Sequence, residues 1–133
     1  MLNVMLKLNN IHHAAVICSD YEKSKHFYVR VLGLTVIRET YRAERQSYKL
    51  DLRVGDSHQI ELFSFPNAPE RPSYPEARGL RHLAFEVDDI EAAVKALEAE
   101  EIAVEPIRVD ETTGKRFTFF FDPDRLPLEL YEK

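Results

Sequence analysis

An α+β fold made of two βαβββ modules is predicted for this chain of 133 residues by three observations. The run IHHAAVICSDYEKSKHFY from Ile11 repeats in physical character as LRHLAFEVDDIEAAVKAL from Leu80, and repetition at a fixed offset signals paired structural units. Each run is followed by three short segments with strand character. A proline-rich stretch, Pro66 to Gly79, separates the two halves.

Each module opens with a short strand-like run, His13–Cys18 in one half and His82–Val87 in the other. A helix start follows, with Ser19 and Glu22, then Asp88 and Glu91, at the spacing of a capping box. Ile90, Ala93, Val94 and Leu97 recur at i, i+3, i+4, i+7 and give the second helix one apolar stripe. Phe27, Tyr28 and Val31 form a comparable face in the first, which stops at Gly33. The remaining strands of module 1 (residues 9–65) are predicted at Leu34–Tyr41, Tyr48–Val54 and Gln59–Phe65. Those of module 2 (80–133) are predicted at Ala103–Val109, Arg116–Phe121 and Leu126–Glu132. In the connector (66–79), Pro66, Pro69, Pro72 and Pro75 cannot donate to a sheet ladder, and they restrict the unfolded chain as a fixed crossing segment should.

Composition narrows the function classes. A net charge of −5 with scattered basic residues argues against nucleic-acid binding, and no apolar run is long enough for a membrane span. Cys18 has no partner for an internal disulfide, and the opening residues MLNVMLKLNN lack a cleavable leader pattern; both point to a cytoplasmic protein. Met1 and Met5 are alternative starts, and the first four residues carry no functional reading.

Each half also places a Glu inside its last strand, Glu61 in QIELF and Glu129 in PLELY. Glutamate is depleted in strands, and burying its charge without compensation costs several kcal/mol. His82 follows His13 by 69 residues, Asp89 follows Asp20 by 69, and Glu129 follows Glu61 by 68. Alternation turns Ala14, Val16 and Cys18 towards the helix and leaves His13, Ala15 and Ile17 on the opposite face, with His82, Ala84, Glu86 and Glu129 placed alike in the second half. Two halves packed face to face would bring two imidazoles and two carboxylates to one point. Such a set suits a divalent ion, Zn or Ni first, with Fe, Co or Mn as alternatives.

These residues, IHHAAVICSD, FYVRVLGL, IELF, LRHLAFEVDD and FFDPDRLPLEL, resemble the vicinal oxygen chelate superfamily, which includes glyoxalase I, bleomycin-resistance proteins and extradiol dioxygenases. The resemblance covers nearly the whole chain. It implies a cupped mixed sheet around a metal, with His13, Glu61, His82 and Glu129 as ligands; His13 is chosen over His12 because it precedes Asp20 by seven residues, as His82 precedes Asp89. A His-Glu-His-Glu set is most similar to glyoxalase I. That similarity implies a lyase or isomerase working through an enediolate, with Glu129 as base and Glu61 as its opposed partner. The likeness also implies a homodimer, with a site made within one chain or shared between two.

Glyoxalase I holds the glutathione γ-glutamyl group with an Arg and an Asn at positions occupied here by Ile17 and Phe65. Neither can make charge-assisted hydrogen bonds, so the expected substrate is a small α-carbonyl or thiohemiacetal compound other than the usual glutathione adduct. Arg125 also replaces the glycine of the family's Asp-Pro-Asp-Gly turn. Phe117 and Phe119 are expected on the apolar wall of the substrate pocket, with Lys49 and Arg116 as candidate anion partners and Arg71 and Lys115 as weaker ones. His12, His26, His58, Glu86 and Cys18 are read as structural or solvated, with His12 and Cys18 on the helix side. A thiol transferase, a dioxygenase and a metabolite-sequestering resistance protein are the alternative functions.

Overall fold

The computed structural model describes residues 4–133, so Met1, the first of the two alternative starts, lies outside it. Module 1 runs β1 (His13–Cys18), α1 (Tyr21–His26), β2 (Thr35–Arg42), β3 (Ser47–Val54) and β4 (His58–Ser64). Module 2 repeats the order as β5 (Leu83–Val87), α2 (Ile90–Ala99), β6 (Arg108–Val109), β7 (Arg116–Phe121) and β8 (Pro127–Glu132). The two sheets have one topology, β1-β4-β3-β2 and β5-β8-β7-β6. In each, the first strand pairs in parallel with the last and the other pairings are antiparallel.

Both helices begin one residue later than the expected caps. Asp20 and Asp89 are the N-cap residues, accepting from the backbone N–H of Lys23 at 3.2 Å and of Ala92 at 3.0 Å. A carboxylate serves both the orphan N–H groups and the positive helix end, worth about 1 kcal/mol, which explains why Asp20 takes the role from Ser19; at the second helix both candidates, Asp88 and Asp89, are carboxylates, and Asp89 is the one that accepts from the first turn. Ser19 is thereby released to donate from its backbone N–H to Asp124 Oδ2 at 3.0 Å, across to module 2.

After His26 the first helix widens into a π-helical turn over Phe27–Val31, closed where the Leu32 N–H reaches Phe27 O at 2.9 Å. The chain then reverses at Gly33, whose φ of +75° suits glycine. The wider turn carries the buried Phe27 and Tyr28 towards module 2. Phe27 packs on Phe120, with ring centroids 6.4 Å apart, and the Tyr28 hydroxyl donates to Asp122 Oδ2 at 2.7 Å. The predicted stripe on α2 is present: Ile90 and Leu97 are buried, with Ala93 and Val94 against the same core.

One predicted strand is much shorter than expected. Of Ala103–Val109 only Arg108–Val109 joins the ladder, since Pro106 has no N–H to give. The preceding segment stays beside β7 through the Glu105 N–H to Phe119 O at 2.9 Å and the Thr118 hydroxyl to Glu105 O at 2.6 Å. No helix among the described residues is long and apolar enough to cross a membrane.

Asp122 is buried in the turn joining β7 to β8 and accepts from the Tyr28 hydroxyl and from the Asp124 and Leu126 N–H groups, the latter two at 2.9 Å each. Burial raises its carboxyl above the usual range despite these donors. Replacing Asp122 with Ala strands a phenol and two amides and should cost roughly 2–3 kcal/mol; Asp122→Asn, which keeps an acceptor, should cost less. A folded-state proton held more tightly than in the unfolded chain makes stability fall as pH rises from the ordinary carboxylate range through the raised value. Denaturant melts from pH 3.5 upwards should show this slope in the native sequence and lack it in Asp122→Asn.

Candidate metal centre and substrate cavity

The parallel pairing of first and last strands places the predicted residues. On β1 and β4, Ala15 lies opposite Glu61; on β5 and β8, Ala84 lies opposite Glu129. In each module the histidine stands two residues before that alanine, on the same face. The methyl side chains leave room beside each carboxylate for an imidazole. His13 Nε2 is 3.5 Å from Glu61 Oε2, and His82 Nε2 is 3.1 Å from Glu129 Oε1. Glu129 is 9% exposed although charged and in a central strand position.

Bonds of about 2.0–2.2 Å from imidazole nitrogen and carboxylate oxygen to one ion set neighbouring donor atoms about 3 Å apart. Each His/Glu pair therefore has the spacing of two ligands on one ion, and neutral imidazole with carboxylate is a suitable donor chemistry. The residues present fit half a site per module. Among the described residues, no group of three or more His, Cys, Asp or Glu side chains is placed to hold a metal, so the four predicted ligands form two separate pairs within one chain.

The two pairs have different surroundings. Beside Glu61 the wall is charged: Lys49 Nζ lies 3.9 Å from Glu61 Oε2 and 3.3 Å from Asp51 Oδ1. Beside Glu129 it is aromatic. A cavity of about 540 Å³ under the connector is lined by His82, Glu129, Phe117, Phe119, Phe121 and Arg108, among others. Phe119 meets the His82 ring edge-on at 5.1 Å, and Phe117 packs at right angles to Phe119 at 6.1 Å.

Arg116, proposed from sequence as an anion partner, lies on the α2 side of its strand. Its guanidinium pairs with Glu132 at 2.7 Å and Glu91 at 3.4 Å, away from the cavity, because β7 alternation sends even-numbered residues to the core. His12 is not turned into the helix side: it is exposed, and its Nδ1 lies 2.9 Å from His13 Nδ1. His26, His58 and Glu86 are exposed as expected, and Cys18 is buried, its thiol pushed up to about 11 by desolvation and thus kept protonated. Ile17 is exposed on the β1 face, and Phe65 is stacked on Phe63 at 5.9 Å, so neither position offers a polar group. Arg125 adopts φ +65°, the left-handed backbone a glycine would take, so the turn survives the substitution. Its guanidinium lies 5.2 Å above the Phe121 ring.

Arg71 has a role that its sequence context hid. Its guanidinium donates to Leu80 O at 2.6 Å, Arg81 O at 2.9 Å and Ser73 Oγ at 3.0 Å, folding the connector back onto the residues that lead into His82. An arginine between prolines gives no sign in sequence of carbonyls nine and ten residues away. The paired alanines opposite Glu61 and Glu129 were legible in the repeat, but their meaning depends on strand register.

Two four-stranded sheets of one topology, each with a His/Glu pair on its open face, define a paired βαβββ-module fold. A family model described as the Glyoxalase/Bleomycin resistance protein/Dioxygenase superfamily matches residues 10–130, and the chain belongs to that superfamily. A Bacillus subtilis protein of unassigned function, YwkD, is 66% identical over 126 residues, covering 95% of this chain and 98% of its own. The crystal structure of a glyoxalase family protein from Enterococcus faecalis superposes with a TM-score of 0.87 at 53% identity, covering 93% of this chain and 98% of that one. A probable lactoylglutathione lyase from Vibrio cholerae is 27% identical over 126 residues, covering 93% and 91% of the two chains.

Arg71→Met, similar in length but without donors, should raise amide hydrogen-exchange rates across residues 72–82 while leaving those of β3 and β7 unchanged. Unchanged protection in the connector would show that the carbonyls are held by something else.

Proposed function

We propose that the protein is a metal-dependent lyase or isomerase of glyoxalase I type, acting on a small α-carbonyl or thiohemiacetal compound other than the standard glutathione adduct, with each metal centre shared between two copies of the chain. The observation that carries this reading is the duplicated His/Glu pair, at ligand spacing in each module yet with only two donors gathered per module. His13 and Glu61 of one copy would meet His82 and Glu129 of another, giving two equivalent centres per homodimer. A divalent ion held there, Zn or Ni by donor type, would polarise the substrate carbonyl and acidify the neighbouring C–H.

The chain's own groups do the proton handling. Glu129, buried on a rigid central strand with His82 beside it, is placed to take a proton from one carbon and deliver it to the next, so the product is an isomer of the substrate. Glu61 of the other copy would face the same space, with Lys49 beside it. Phe117 and Phe119 exclude water and offer an apolar wall to the carbon skeleton. The distant lyase relative supports the reaction class. Ile17 and Phe65 argue against its usual thiol, since a glutathione carboxylate would meet hydrocarbon there.

Glu129→Gln should fold and retain most of its metal while losing turnover by about 10² or more, since removal of a general base typically costs that much. Retained turnover would remove Glu129 as base. Assays of methylglyoxal with a panel of thiols should show little activity at ordinary glutathione levels. The shared site has a sharper test. Chains carrying His13→Ala with Glu61→Ala, and chains carrying His82→Ala with Glu129→Ala, should each be inactive. Refolded together in equal amounts, they should recover about a quarter of native activity, because half the dimers are mixed and each mixed dimer has one intact centre. No recovery, with mixed dimers present, would put the centre within one chain.

A further inference from the structure

The cavity beside His82 and Glu129 ends in a cation, and we infer that its substrate carries an anionic group, a carboxylate, at the end remote from the reacting carbonyl. This rests on the proposed reaction at the His/Glu centre and specifies the substrate class for it. Arg108, on the edge strand β6, projects over the aromatic wall with its Cζ 5.0 Å from the Phe117 centroid and 5.7 Å from that of Phe119. Phe119 is also the ring that meets His82 at 5.1 Å, so a single aromatic ring separates the imidazole from the guanidinium. A small molecule lying along Phe119 would present its carbonyl oxygens at one end and its charge at the other.

The stacking matters chemically. A guanidinium laid on aromatic faces loses little hydration and keeps its in-plane N–H donors free for a planar, bidentate acceptor. Lysine in that place would not. Arg78 and Arg81 line the same cavity as further cations, Arg81 in a largely exposed pair with Glu76, while Arg71 is committed to backbone carbonyls. Arg108 has one competing partner, Glu105, at 3.1 Å. Both side chains of that pair are about half exposed, and such pairs are weak, so a substrate carboxylate inside the cavity can displace Glu105. The corresponding position of module 1 is Thr40, opposite Lys49 as Arg108 is opposite Phe117; an arginine on the edge strand is therefore a feature of this half of the cup alone, the cation of the other half being Lys49, which is engaged by Asp51 and Glu61.

The test compares two probes of equal carbon length, 5-hydroxy-4-oxopentanoate and the neutral 1-hydroxypentan-2-one, by calorimetry on the native protein at low salt, with and without Co²⁺. The native protein should prefer the carboxylate about tenfold or more, the size of one charge-assisted contact. Arg108→Gln should remove most of the preference, with Arg78 and Arg81 keeping a remnant, while changing neither the affinity for the neutral probe nor that for Co²⁺, and Glu105→Gln should strengthen it. Equal binding of both probes to the native protein, or equal weakening of both in Arg108→Gln, would overturn the inference. Failure of the metal reading is distinct: Co²⁺ would neither bind nor tighten either probe, while the Arg108-dependent preference would persist.

Discussion

Parallel pairing between the first and last strand of each module is the constraint on which the rest depends. It brings residues 48 and 47 positions apart in the chain, His13 with Glu61 and His82 with Glu129, side by side on one open face. A one-residue slip of either strand would send every side chain on it to the other face. Register is held against this because the opposite faces, with Val16, Cys18, Leu128 and Leu130, are buried under the helices. Core packing and ligand placement are thus the same decision.

The modules share one hydrophobic core and are also joined by polar contacts. Tyr28 to Asp122 and Ser19 to Asp124 run from the first helix and its approach to the β7–β8 turn, next to the Phe27 and Phe120 contact. A buried carboxyl surrounded by donors is costly to form and specific in direction, so it orients the two units more sharply than an apolar patch would. The connector supports this arrangement from the other side through Arg71, whose hydrogen bonds end immediately before His82.

Duplication has not left the halves equivalent. Module 1 lines its open face with Lys49, Asp51 and Glu61; module 2 lines its own with Phe117, Phe119 and Arg108. A centre built from one half of each kind is polarised, charged on one side and apolar on the other. In the proposed reaction such asymmetry would let the two His/Glu pairs hold a substrate in one direction, which a proton transfer between neighbouring carbons requires.

The repeat, the strand alternation and the strand glutamates were enough, in sequence, to give the βαβββ order, the α2 stripe, the faces of His13, His82 and Glu129, and the burial of Cys18. These are local properties, set by side-chain periodicity and composition over a few residues. Tertiary structure decided what depends on distant partners. Ser19, displaced as cap by Asp20, was drawn to Asp124, Arg116 turned to Glu132 and Glu91, and Arg108 came to rest on two phenylalanines from the next strand. Long, flexible cationic side chains carry no periodic signal of their own: their place is chosen by whichever carboxylates, carbonyls and rings the fold sets within reach.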